Sequence, residues 1–378
     1  MKQNTGDRNL TEDTMVWEGF DVPREAHEFS KEYRKNKNKM LRRYRRSVYV
    51  PDRAKVMKAA AVLILFLAMP ALAVAASGSE FFARLWGTEG KKNVEAHTEE
   101  VRDEENGRTY TVTFPRRNYT DDNLDRAEEL IGGAVSYEPA VKEIGDARLT
   151  VLAAVCDGDA AVVEFTLEQE GGIDCFQYSQ LTNESKGAWF SEDSPFYFQI
   201  AEGSESIFVD LDKSTEEKLY CYDYIVTDFT DEEIKGLTFE IYRFSDKGTD
   251  SEAEETDTLF IPIRKKTERR EYVNQAGGVV SLSPIAMKID MNAVTGIAED
   301  EAGDPWHVYY VAVKYRDGTE YIVHEHAIEG VHQCDGDIDN TSYACAHTGG
   351  EFVLVFNRLT DIAKVESVVV NETVYVPK

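Results

Sequence analysis

Five of the seven histidines, His307, His324, His326, His332 and His347, fall between residues 307 and 347, with Cys334 and Cys345 among them. Imidazole and thiolate are common zinc ligands, and a zinc site needs about four of them converging. On a strand, His324 and His326 would point to one side. Their spacing follows no finger or protease pattern, so histidines of surface loops and strands are the plainer expectation. The run Asp335-Gly336-Asp337-Ile338-Asp339-Asn340 resembles the first half of a calcium loop, with oxygens at alternate positions. It departs where that motif is strict: Asn340 stands in place of the turn glycine and Ala346 in place of the bidentate glutamate. A polar loop closed by a local Cys334–Cys345 bridge accounts for the same residues. The chain contains no Gly-rich phosphate loop, nucleophile elbow or HExxH run. We therefore assign no catalytic residue, no metal ligand and no cofactor, and do not expect an enzyme.

Such residues need elements to carry them, and charge divides the chain into two parts. Residues 1–58 hold 15 Lys/Arg against 9 Asp/Glu, leaving 27 against 61 for the remainder. So acidic a part repels nucleic acid and anionic lipid, and suits a soluble surface or basic partners. The 378-residue length implies two or three compact units. The five cysteines, Cys156, Cys175, Cys221, Cys334 and Cys345, are too few for a disulfide scaffold.

Between the two parts, Ala59–Ala76 reads AAAVLILFLAMPALAVAA, and Val56 and Met57 extend it to a length that spans a bilayer as a helix. The flank from Lys31 to Lys58 carries twelve Lys/Arg against Glu32 and Asp52, which keeps the N-terminus in the cytoplasm. A cleavable signal is the rival, since Ala71-Leu72-Ala73 and Ala73-Val74-Ala75 fit its cleavage pattern. The basic lead of nearly sixty residues is too long for one. An uncleaved single-pass anchor, with the C-terminal part outside the cell membrane, is the expectation.

The arm at 1–55 should hold one amphipathic helix, opened by Asp21 and Pro23. Val22, Ala26, Phe29, Tyr33, Met40, Leu41 and Tyr44 recur at steps of three, four or seven. The arm is too short to own a core, so this stripe must meet a partner, the membrane surface or nothing. Trp17, Phe29, Tyr33, Leu41 and Tyr44 are the candidate partner-binding residues.

Just beyond the span at 56–77, Glu80–Trp86 (EFFARLW) reads as a short helix whose rings suit either lipid headgroups or the outer domain. Apolar and polar residues then alternate in short runs with Gly, Asp and Asn turns, Asp157-Gly158 and Asp317-Gly318 marking hairpins. Ser245–Asp257 reads as an exposed charged loop. Lys265–Gly278 reads as a polar linker. The fold class is mainly β: a transmembrane helix, then two extracytoplasmic immunoglobulin-like β-sandwich domains at 78–265 and 279–378, joined by the linker at 266–278.

The chain resembles a group of Gram-positive bacterial single-pass, anti-sigma-factor-like membrane proteins whose extracytoplasmic part is a domain of unknown function. The resemblance rests on His27-Glu28-Phe29-Ser30 with Tyr33, the single span, Phe82-x-x-Leu85-Trp86-Gly87 and Val155–Ala160. It also rests on Ser281–Ile289 and Val365–Tyr375. It covers nearly the whole length through short motifs. It implies a cytoplasmic arm that binds an alternative sigma factor and outer domains that sense an envelope signal, and it carries over no catalytic residue. The arm departs from better-known anti-sigma domains in having no His-x-x-x-Cys-x-x-Cys motif. The alternative function is a cell-surface binding or adhesion protein anchored in the bilayer.

Overall fold

The computed structural model describes residues 78–378 apart from 89–90, 104–107, 174, 179–184, 192–193, 202, 228–234, 245–252, 264, 295–307 and 348–349. The arm residues Trp17, Phe29, Tyr33, Leu41 and Tyr44 and the apolar run 56–77 lie outside the described residues. Among the described residues, no helix is long and apolar enough to cross a membrane.

The protein is mainly β. A nine-residue helix, α1 (Gly78–Trp86), precedes a hairpin of β1 (His97–Asp103) and β2 (Arg108–Phe114), which forms a two-stranded sheet of its own. A connector follows, in which the sequence reads as one helix near Asn123–Ile131 after Thr120–Asp122; the structure has α2 (Ala127–Leu130) flanked by 3₁₀ turns at Leu124–Arg126 and Gly132–Ala134.

The first β-region is built from two facing sheets. The larger contains β3 (Ala140–Ile144), β4 (Ala147–Cys156), β5 (Ala160–Gln169), β6 (Phe176–Tyr178), β7 (Ser185–Phe190), β9 (Gly203–Asp210) and β10 (Lys218–Thr227). Their spatial order is β3-β4-β5-β10-β9-β7-β6. The smaller holds β8 (Phe196–Ile200) between sequence neighbours of the larger, with β11 (Gly236–Phe244) and β12 (Ala253–Pro262). Strands β4, β5 and β10 are buried on both faces, which marks them as central to a sheet covered on both sides. One face, with Leu149, Phe165, Cys221 and Ile225, joins Phe198, Phe239 and Ile261 of the smaller sheet in the core. The other face, with Val155, Val162, Tyr222 and Tyr224, lines a separate core.

The second β-region is a ten-stranded sheet closed over its own core. Five strands, β13 (Arg270–Val273), β14 (Val279–Leu282), β15 (Ala286–Asp290), β19 (Thr341–His347) and β20 (Glu351–Phe356), form one half. The other half is β16 (Tyr310–Tyr315), β17 (Glu320–Glu325), β18 (Ile338–Asp339), β21 (Val365–Val370) and β22 (Thr373–Pro377). The halves meet where β13 pairs with β22 through Tyr272–Pro377 and Val273–Val376. Tyr272, Ile289, Val313, Phe356, Val368 and Tyr375 fill the space between them.

Several segments differ from the sequence expectation. The segment 266–278 is not all linker, because Arg270–Val273 pairs on both sides and buries Tyr272 completely. Of the expected loop Ser245–Asp257, residues 253–257 extend β12 instead, pairing with Tyr242–Phe244 and Ile241. Val279–Met291 and Val365–Val376 each read in the sequence as one strand-like run, but the first is two strands broken at Ser283-Pro284 and the second is two strands turned at Asn371, whose φ of 52° is the left-handed conformation Asn tolerates. None of the five cysteines is in a disulfide, so Cys334 and Cys345 do not close their loop.

Candidate functional site

The motifs quoted at Val155–Ala160 and Ser281–Ile289 meet in space. At the β4–β5 turn, Gly158 takes a φ of 105°, a conformation that favours glycine. The side chain of Asp157 closes that turn, its Oδ1 accepting hydrogen bonds from the backbone N–H groups of Asp159 and Ala160, both at 2.7 Å. Its Oδ2 accepts a hydrogen bond from Ser283 Oγ at 2.5 Å, across to the β14–β15 turn. Ser283 Oγ in turn accepts from the N–H groups of Ile285 and Ala286. Both side chains are buried, at 1% exposure each. Burial and the neighbouring Asp159 push the Asp157 carboxyl up, and the donated hydrogen bonds act in the opposite direction.

Asp159 extends the junction. It pairs with Arg269, which lies just before β13, and with Lys288 Nζ on β15 at 2.9 Å. Lys288 also reaches Glu351 at 3.4 Å. Backbone bonds reinforce the contact: the N–H of Thr267 donates to the carbonyl of Cys156 at 3.0 Å. A single turn of the first β-region is therefore held by three segments leading into or lying within the second.

Helix α1 packs into the same junction. Phe81, Phe82, Leu85 and Trp86 lie at 1–2% exposure, on the face that steps of three and four residues create. Phe81 meets Phe82, Trp86 and Tyr137 edge-on, with centroids 5.7, 6.1 and 6.0 Å away. The four residues share their core with Val155 and Val162 of the first β-region and with Ile285, Val353 and Val355 of the second. Of the two readings for these rings, lipid headgroups or outer domain, the domain interior is where they lie.

Polar contacts fix the helix in place. Arg84 Nη2 lies 2.6 Å from Glu164 Oε1 and donates to Oε2 at 2.7 Å, on β5, where the Glu164 side chain is 2% exposed. Burial pushes the Glu164 carboxyl up, against the Arg84 guanidinium that pulls it down. At the other end Lys91 Nζ donates to the carbonyl of Leu85 at 2.8 Å, a cation at the helix C-terminus. Gly87 makes the exit possible, because a Cβ there would lie 2.1 Å from the carbonyl oxygen of Ala83.

The connector straps both β-regions together. Arg116 donates its N–H to the carbonyl of Asp337 at 2.5 Å and accepts at its own carbonyl from the N–H of Asp339 at 2.9 Å. Nη1 of Arg358, a side chain stacked over Tyr321 at 3.6 Å, donates to Asp122 at 2.7 Å, and Asn123 donates to the carbonyl of Leu359 at 2.9 Å. Further on, Ser136 forms a bridge with Ala154 on β4.

The histidine and aspartate cluster has a different use. His326 Nδ1 is 2.7 Å from Asp337 Oδ2, and His332 Nε2 is 2.9 Å from Glu325 Oε1 with its ring against Tyr309 and Tyr310. Burial holds the His324 imidazole below its ordinary range, against the attraction of Asp339. Asp337 Oδ1 accepts from the N–H of Ala327, and Asp339 accepts from Thr341 through Oδ1 and from Arg117 through Oδ2. The Asp337 and Asp339 carboxylates of the calcium-like run thus serve the protein's own donors. Among the described residues, no group of three or more His, Cys, Asp or Glu side chains converges on a metal position. His307 lies outside the described residues.

The sequence marks Asp157-Gly158 as the hairpin turn that it is, but gives no sign of its bond to Ser283 or of Arg84 with Glu164. An Asp-Gly turn after an apolar strand and a Ser-Pro break inside another were the available signals. Nothing local marks Arg84 as the partner of a residue eighty positions later.

No family model matches the chain. No curated protein matches it. Among solved structures it is similar to a conserved domain protein from Bacillus anthracis, at 12% identity over 62% of this chain and 76% of that one, with a TM-score of 0.32.

Proposed function

We propose that the protein is a membrane-anchored regulator, anti-sigma-factor-like, in which two extracytoplasmic β-sandwich domains of immunoglobulin-like type sense or bind and a cytoplasmic arm engages a sigma factor. The observation that carries the reading is the burial of α1. Chain leaving the apolar run 56–77 enters directly a helix whose Phe81, Phe82, Leu85 and Trp86 pack against both β-regions. A helix free of the β-regions would report nothing about them. One built into their junction moves whenever a ligand shifts the packing of one region on the other, since packed cores change by discrete rearrangement rather than by yielding continuously.

The arm completes the account. Its stripe of Phe29, Tyr33, Leu41 and Tyr44 with Trp17 is the surface on which a cytoplasmic partner is read. The test is co-purification of the full chain from cells, with partners identified by mass spectrometry. A sigma factor retained by the native chain and lost from the Phe29→Ala/Tyr33→Ala variant supports the regulator. Absence of any sigma factor with the native chain favours the adhesion alternative, in which the arm is only an anchor.

A further inference from the structure

The core of the first β-region contains two acids that no mechanism above uses. Asp223 on β10 is fully buried, and neither of its carboxyl oxygens has a hydrogen-bond partner of ordinary donor type. Its side chain lies on the face shared with Cys221 and Ile225, toward the core between the two sheets. On the adjacent strand β9, Glu205 stands opposite Ile225 in the register, diagonal to Asp223 and on the same face. The group acting on the Asp223 carboxyl is Glu205, another carboxyl.

Two carboxylates in hydrogen-bond reach of each other have only acceptors to offer. A proton on one of them turns the contact into an O–H···O bond and removes a charge from the core; without it, two like charges face each other out of water. We propose that Glu205 and Asp223 form a proton-dependent latch that tightens the first β-region in acid and loosens it as the surroundings turn alkaline.

The surroundings favour this. Glu205 Oε2 accepts the N–H of Ile200, at the end of β8 on the opposite sheet, at 3.0 Å, so one member of the pair ties the two sheets together. The residues facing the pair are apolar: Val163 of β5, Ile207 of β9, Ile225 of β10, Ile200 of β8, and Leu237 and Phe239 of β11. The titratable neighbours are Cys221, on the same face of β10, and Tyr343 of β19, both of which feel the Asp223 charge. Among the described residues no Lys, Arg or His acts on either carboxyl. Glu205 is only partly buried, which leaves a route for proton exchange.

Burial pushes the Glu205 carboxyl up to about 7, against the hydrogen bonds from Asp223 and from the N–H of Ile200 that pull it down, and burial beside Glu205 pushes Asp223 well above the carboxylate range. The folded state thus keeps protons that the unfolded chain has released above the ordinary carboxylate range. By linkage, stability falls as pH rises from there through about 7, and falls further as the last shared proton is lost.

The experiment is hydrogen exchange with mass spectrometry on the full chain in detergent, corrected for intrinsic exchange, comparing peptides of β9 and β10 with peptides of β20 and β21. Protection in β9 and β10 should fall about tenfold or more between about pH 5.5 and about pH 7.5, with little change in the reference strands. Asp223→Asn, whose amide donates to Glu205 at every pH, should flatten that dependence. Equal pH dependence in the native chain and this variant overturns the proposal. If the variant does not fold, difference infrared spectroscopy of the native chain decides. A protonated-carboxyl carbonyl band that is present in acid and lost in alkali, in step with exchange in β9 and β10, supports the latch, and its absence in acid overturns it.

Discussion

Ser283 and Asp157 show what one hydroxyl does at a buried junction. Ser283→Ala leaves Asp157 Oδ2 without its donor, and a hydrogen bond to a charged group is worth about 1.5–3 kcal/mol. Urea denaturation of the native and variant chains should show a loss of that size, with backbone circular dichroism unchanged. Arg84 and Glu164 behave differently, because Glu164 is the more deeply buried partner. Arg84→Ala strands a carboxylate in the core and should cost about 3 kcal/mol, whereas Arg84→Ala combined with Glu164→Leu should recover most of the loss. A double-mutant cycle in denaturant measures the coupling.

At the scale of elements, α1 is where sequence and structure are closest to one account. Its aromatic stripe was legible from residue types and spacing, but the surface it covers was not, since lipid headgroups and protein core both accept Phe and Trp. The long apolar strands β4, β5, β10 and β11 were readable for the same reason that they are central: their burial demands apolar residues on one or both faces. Strand β9 escaped notice because Gly203–Glu205 interrupts its alternation with polar residues, and Glu205 there is part of the buried acid pair. Strand β13 escaped because only Tyr272 of its four residues is buried, between neighbours that look like linker. Neither His326 with Asp337 nor Arg358 with Tyr321 had a sequence signal, since both depend on loops folding back across the second β-region. Replacing Trp86, at 1% exposure, by Ala should cost about 3–5 kcal/mol and expose α1 to protease before the β-regions unfold. Limited proteolysis followed by mass mapping checks the order of cleavage.

For the whole molecule, the fold offers a buried helix shared by both β-regions and the charge offers an asymmetry. The 61 acids beyond residue 58 disfavour phosphate surfaces, and in the proposed topology the basic lead holds its side of the apolar run in the cytoplasm. The connector and the Asp157–Ser283 junction make the two β-regions a single body around α1. Under the proposed reading, a stimulus that acts on either region reaches the helix they share. In the regulator account, the direction of travel is from β-region to α1, from α1 to the span, and from the span to the arm. The acid pair of β9 and β10 adds a pH-sensitive element to the first of those steps.

The most direct measurement is transcription from a promoter that depends on the sigma factor co-purifying with the native chain, read in cells carrying native protein, Trp86→Ala or Phe29→Ala/Tyr33→Ala. Surface labelling confirms that each variant reaches the membrane. The account predicts that the arm variant releases the promoter fully and that Trp86→Ala, though its arm is intact, alters promoter output and blunts its response to external conditions. A Trp86→Ala protein whose α1 is open to protease but whose promoter output and response match the native chain would contradict it.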